Sequence, residues 1–80
     1  MEYTISEVDP KTQPNAYKNG KRWCLQWNIE KENEILYFVR FFKRKINANI
    51  YLARLKDNQI PWHTQMRFCL ERKSKKPAGS

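Results

Sequence analysis

These eighty residues, 40% of them hydrophobic, are expected to make one small domain with a thin core. No apolar run approaches the roughly 20 residues that a membrane-spanning helix needs. Sixteen Lys and Arg against eight Asp and Glu give a net charge of +8, which says little about fold but favours an anionic partner: nucleic acid first, then an acidic protein or an anionic membrane.

Residues 2–8 mix Tyr, Thr, Ile and Val and are expected to form a short strand. Their acids, and the lack of an apolar block, do not read as a signal peptide. Residues 9–16 contain Pro10 and Pro14 and read as loop. Asn19-Gly20 reads as a type I′ turn, because that turn needs positive φ at both central residues. The strand that follows, Lys21 to Ile29, alternates. Trp23, Leu25, Trp27 and Ile29 share one face, and Arg22, Cys24, Gln26 and Asn28 share the other.

From Asn33 to Ile46 the apolar residues Ile35, Val39, Phe42 and Ile46 recur at steps of four, three and four, which predicts a helix. Asn33 is its expected N-cap, with Glu30 and Glu32 near the positive end of the dipole. Arg40, Lys43, Arg44 and Lys45 fall toward the other end, where bases suit the dipole. Residues 47–59 fit neither template well, since Ile50 stands apart from Leu52 and Leu55; a strand is preferred, ended by a turn over Lys56–Gln59. Residues 60–70 admit a helix opened by Pro61, but the alternation of Trp62, Thr64, Met66, Phe68 and Leu70 favours a strand. The domain is expected to span residues 1–71, with 72–80 a flexible basic tail. The fold class expected is α+β, a small antiparallel sheet in the order hairpin–helix–hairpin, packed on one amphipathic helix.

The run WCLQWNIEKENEILYFVRFFKRKINANIYLARL, with MRF beyond it, resembles the hairpin–helix–hairpin part of LAGLIDADG homing-endonuclease domains over roughly residues 15–70. That resemblance implies a saddle-shaped sheet lying along DNA. It implies binding without cleavage, because the family's signature helix, which carries the metal-binding acid, has no counterpart in this sequence. Tyr17-Lys18-Asn19-Gly20-Lys21-Arg22-Trp23 is also similar to the hairpin of integrase arm-type DNA-binding domains, a fold with a three-stranded sheet ahead of its helix.

Catalysis is not expected: His63 is the sole histidine, with no nucleophile or acid at an informative spacing. No cofactor or metal is expected either, since Cys24, Cys69 and His63 lack the paired spacing of a structural zinc site. The two cysteines read as free thiols of an intracellular protein, cytoplasmic or nucleoid-associated, with a bridge as the alternative. Residues 35–80 hold eleven bases against Asp57 and Glu71, so this half should meet a polyanion. The expected nucleic-acid contacts are Arg22, Gln26, Asn28, Arg54, His63, Gln65 and Arg67 on one sheet face, with Lys73, Lys75 and Lys76 on phosphates. Duplex DNA is the preferred ligand, in a regulatory or architectural role. The alternative is docking on an acidic protein, or on a second copy, through Tyr37, Arg40, Phe41 and Arg44.

Overall fold

A computed structural model describes residues 2–75. The elements run β1 (Tyr3–Glu7), α1 (Pro14–Lys18), β2 (Trp23–Glu30), β3 (Glu34–Phe42), α2 (Lys45–Lys56), α3 (Trp62–Met66) and β4 (Cys69–Ser74). The four strands form one antiparallel sheet in the order β1-β2-β3-β4. The α+β class and the antiparallel sheet agree with the sequence reading, whereas the order of elements differs from it.

The main correction concerns residues 33–46. Residues 34–42 form a strand, β3, and not a helix, and Lys45 and Ile46 already belong to α2. Leu36, Phe38, Arg40 and Phe42 face the helices, and Ile35, Tyr37, Val39 and Phe41 face the other way. Both faces carry large apolar side chains, so the row imitates a helical stripe. The content of Ile, Tyr, Phe and Val favours a pleated strand that pairs on both sides. The long helix, α2, falls instead on residues read as strand. Residues 62–66 form a short helix behind Pro61, and a single strand follows in place of a second hairpin. Arg72, Lys73 and Ser74, assigned above to a tail, complete β4. Lys75 follows, its amide donating to the Asn33 carbonyl at 3.0 Å, and residues 76–80 of that expected tail, Lys76 included, lie outside the described residues.

Asn19-Gly20 does not turn a hairpin. It ends α1, whose first position is Pro14. Gly20 has φ of 83°, and the amides of Gly20 and Lys21 donate to the carbonyls of Tyr17 and Ala16 at 3.0 Å each, the Schellman arrangement. Asn58 repeats it at the end of α2: its φ is 57°, and the amides of Asn58 and Gln59 donate to Leu55 and Arg54. The strand β2 alternates as read, with Leu25 and Trp27 buried beneath the helices and Gln26 exposed on the opposite side.

The core lies between the sheet and α2. Leu25, Trp27, Leu36, Phe38 and Phe42 meet Ala48, Tyr51 and Leu55. The Trp27 and Phe38 rings stack at 5.2 Å, and Tyr51 packs against Trp27 and Phe42 from above. Gln65 of α3 holds the Trp27 indole: its Oε1 accepts from Trp27 Nε1 at 3.2 Å while its Nε2 donates to the Ile60 carbonyl at 3.0 Å. Each fully buried ring or aliphatic contributes about 1.5–3 kcal/mol, enough for a thin core to hold a sheet of this size. No helix among the described residues is long and apolar enough to cross a membrane.

Candidate nucleic-acid interface

The face of the sheet away from α2 is open over much of its area. It presents Thr4 from β1, Gln26 and Asn28 from β2, the row Ile35, Tyr37, Val39 and Phe41 from β3, and Glu71 and Lys73 from β4. A shallow cleft of about 270 Å³ lies on it, lined by Glu2, Thr4, Gln26, Asn28, Tyr37 and Glu71 among others. Two carboxylates at this cleft repel phosphate, so the open face is polar and aromatic but not basic.

The predicted contact residues are divided by the fold. Gln26, Asn28 and Lys73 share the open face, although the Asn28 Oδ1 already accepts from the Glu2 amide at 3.2 Å. Lys73 lies 3.8 Å from Glu71, and Lys75 lies 3.5 Å from Glu30, so both are ion-paired. Arg54 is on α2, His63 is on α3 and Arg67 caps α3, all exposed on the helical side. Gln65 is turned inward to Trp27, so the outward sheet set expected from alternation does not form. The partner set is divided too. Tyr37 and Phe41 face the open side. Arg40 lies under the helices with its guanidinium 4.6 Å from the Tyr51 ring centre and 4.7 Å from that of Phe68, and Arg44 is the N-cap of α2.

What the fold does assemble is a basic end. The amide of Arg22 donates to the Phe42 carbonyl at 2.9 Å, which sets the start of β2 beside the finish of β3. Two basic stretches therefore lie side by side: Lys18, Lys21 and Arg22 from the α1–β2 corner, and Lys43, Arg44 and Lys45 from the β3–α2 corner. The two corners are neighbours: a Cβ built on Gly20 would sit in ordinary contact, 3.9 Å, with Lys43 Cε. Lys45 Nζ lies 5.1 Å above the Trp23 ring, and the Arg22 guanidinium stacks 3.9 Å from the Tyr17 ring while donating to the Tyr17 carbonyl. None of these six bases is in an ion pair. The ion pairs among the described residues, Arg72–Glu34, Lys73–Glu71 and Lys75–Glu30, all lie toward the opposite end of the sheet. Glu7 and Asp9 also lie at the basic end, and Asp9 Oδ1 is engaged by the Lys11 amide at 2.8 Å.

The α2 N-terminus opens into this cluster. Its N-cap, Arg44, supplies no side-chain acceptor, and no acid occurs in its first turn. Free amides and the positive dipole end thus point where three bases already stand. The sequence reading placed Arg40, Lys43, Arg44 and Lys45 at a helix C-terminus, in favour with the dipole. The fold places Lys43, Arg44 and Lys45 against it. That arrangement costs stability and is relieved by a bound anion.

Lys18, Lys21, Lys43 and Lys45 were absent from the expected contacts. Their sequence signal is two short basic runs, each adjoining the end of a strand. Burial pushes the Cys24 thiol pKa up, partly offset by hydrogen bonds from Gln13 and Ser6, so this cysteine is a packed neutral group. Among the described residues no three His, Cys, Asp or Glu gather closely enough to hold a metal ion. Comparison with protein-family models, with curated proteins and with solved structures found no match.

Proposed function

We propose that this protein binds nucleic acid, with duplex DNA as the preferred form, and that it acts by binding and not by catalysis. The observation that carries the reading is the unpaired basic end, in which Lys18, Lys21, Arg22, Lys43, Arg44 and Lys45 stand without a carboxylate partner around an uncapped helix N-terminus. Phosphates meet both features at once: charge neutralises charge, and backbone N–H groups donate to the phosphate oxygens. The adjoining open face offers Gln26 amide groups and the Tyr37 ring, which suit base edges and ring faces. The order of three antiparallel strands ahead of α2 supports the resemblance to arm-type DNA-binding domains. The LAGLIDADG frame is the weaker support, because its helix falls at Lys45–Lys56 and one strand replaces its second hairpin.

Fluorescence anisotropy with a labelled duplex of about 20 base pairs, the matching single strand and the matching RNA tests the reading at two salt concentrations. Duplex binding should weaken with salt, with a slope of about −0.9 per phosphate neutralised. Changing Lys21, Arg22, Lys43 and Arg44 to Gln should weaken binding and flatten that slope. An unchanged slope, or tight binding that ignores salt, removes the basic end from the site. Preference for the single strand over the duplex moves recognition to the Tyr37 and Phe41 row.

A further inference from the structure

The outward side of α2 is a second surface with its own chemistry. Ala48, Tyr51 and Leu55 point to the core. Directly opposite them, at steps of four and three, stand Ile46, Ile50 and Ala53, with Ile46 63% and Ile50 45% exposed. A helix that packs one face on a sheet normally turns polar residues to water. This one turns isoleucines outward, and burying either on a partner is worth far more than any rim polar contact.

The flanks of this crest restrict what covers it. Arg54 borders it on one side and Lys45 and Lys56 on the other, their ammonium groups resting over the Trp23 and Tyr3 rings, with Arg44 just ahead; within α2 there is no acid, and Asp57 stands only at its C-terminal end. Asn47 and Asn49 supply neutral hydrogen-bonding groups alongside, and both are exposed. A second copy laid crest to crest would set these bases against their own images. Duplex DNA satisfies the bases but offers isoleucine no apolar seat. An anionic bilayer needs a broader apolar face than two isoleucines and an alanine. We infer that α2 docks a protein segment whose apolar stripe is flanked by Asp or Glu, an acidic amphipathic helix being the simplest form. This surface is separate from the basic end in its central residues. The protein would then join a nucleic acid to an acidic protein, although the docking does not depend on the nucleic-acid reading.

The test uses the full chain and a fluorescein-labelled synthetic peptide of about four helical turns, with Leu along one stripe and Glu elsewhere, together with a scrambled peptide of equal composition. Saturable binding of the striped peptide is expected, at least roughly tenfold tighter than the scrambled one. Ile46→Ser and Ile50→Ser should each weaken it by about tenfold, and Arg54→Gln with Lys56→Gln should weaken it and reduce its salt dependence. Both isoleucines are exposed, so circular dichroism and the thermal midpoint should be unchanged, as should binding of duplex DNA. Equal affinity for the two peptides shows attraction by charge alone and overturns the inference. So does unaltered binding by the isoleucine variants. A wild-type dimer in sedimentation that Ile50→Ser dissociates assigns the crest to a second copy, and phosphatidylglycerol vesicles that compete the peptide away assign it to a membrane; either result overturns the proposal.

Discussion

Arg40 shows how one side chain changes meaning between sequence and fold. In the expected helix it stood on an outer wall beside Tyr37 and Phe41. In the strand it turns to the opposite side from both, and its guanidinium lies against the rings of Phe42, Tyr51 and Phe68. Such contacts are worth about 0.5–1 kcal/mol each when exposed and about 2 when desolvated, which is enough to seat a cation at the margin of a core. Tyr51 beneath it has a buried hydroxyl with no hydrogen-bond partner. A lone buried hydroxyl costs about 1–3 kcal/mol. Tyr51→Phe is therefore expected to be neutral or to raise stability by about 1 kcal/mol in urea denaturation, and a clear loss would show that the hydroxyl has a partner in solution. Cys24 makes the second prediction at this scale. Its buried thiol should resist iodoacetamide in the folded protein while the less buried Cys69 reacts first. Because the folded-state pKa of Cys24 is raised, its contribution to stability is complete below the ordinary thiol range. As pH climbs from that range toward the raised value, the unfolded chain ionises first and stability falls. Cys24→Ser should remove that part of the alkaline decline, measured as the midpoint against pH.

At the scale of elements, helix ends make the clearest predictions. Arg44→Asp places an acceptor and a negative charge at the uncapped start of α2, and should add about 1 kcal/mol to stability while weakening polyanion binding. Stability and binding moving in opposite directions is the mark of a site that trades one for the other. Asn58→Gly relieves a positive φ at the other end of the same helix and should add up to about 1 kcal/mol, read as a shift in denaturation midpoint. The misread elements share one cause. β2 was legible because its two faces differ: Trp23, Leu25, Trp27 and Ile29 against Arg22, Gln26 and Asn28. β3 was not, because Ile35, Tyr37, Val39 and Phe41 on its second face are as apolar as Leu36, Phe38 and Phe42 on its first. α2 was not, because Ile46 and Ile50 stand opposite its core residues and blur its stripe. Asn19-Gly20 signalled a positive φ correctly, but the same chemistry serves a helix end and a hairpin, and Pro14 was the cue that a short helix precedes it.

The whole molecule is organised by where charge is paired and where it is not. Net charge was readable from composition, and the basic half of the chain from its residue counts. The convergence of Lys18, Lys21 and Arg22 with Lys43, Arg44 and Lys45 was not, because it depends on β2 and β3 running antiparallel so that distant stretches share one end. Six like charges held together strain the fold at low ionic strength. Inorganic polyphosphate should therefore raise the thermal midpoint in a concentration-dependent way, as expected of a ligand that favours the folded state. Replacing Lys43 and Arg44 with Gln should raise the midpoint in ligand-free, low-salt buffer and abolish most of the polyphosphate effect.

Segregating charge along the strands has a kinetic outcome. A particle whose excess positive charge sits at one pole, with roughly balanced charge at the other, has a permanent dipole moment along its sheet. In the field of a polyanion it rotates before it touches, so a larger share of collisions begin in the productive orientation. The advantage belongs to the association rate and fades within a Debye length of about 8–10 Å at moderate ionic strength. Moving the same number of lysines to the far pole would keep composition and isoelectric point unchanged, yet slow the approach.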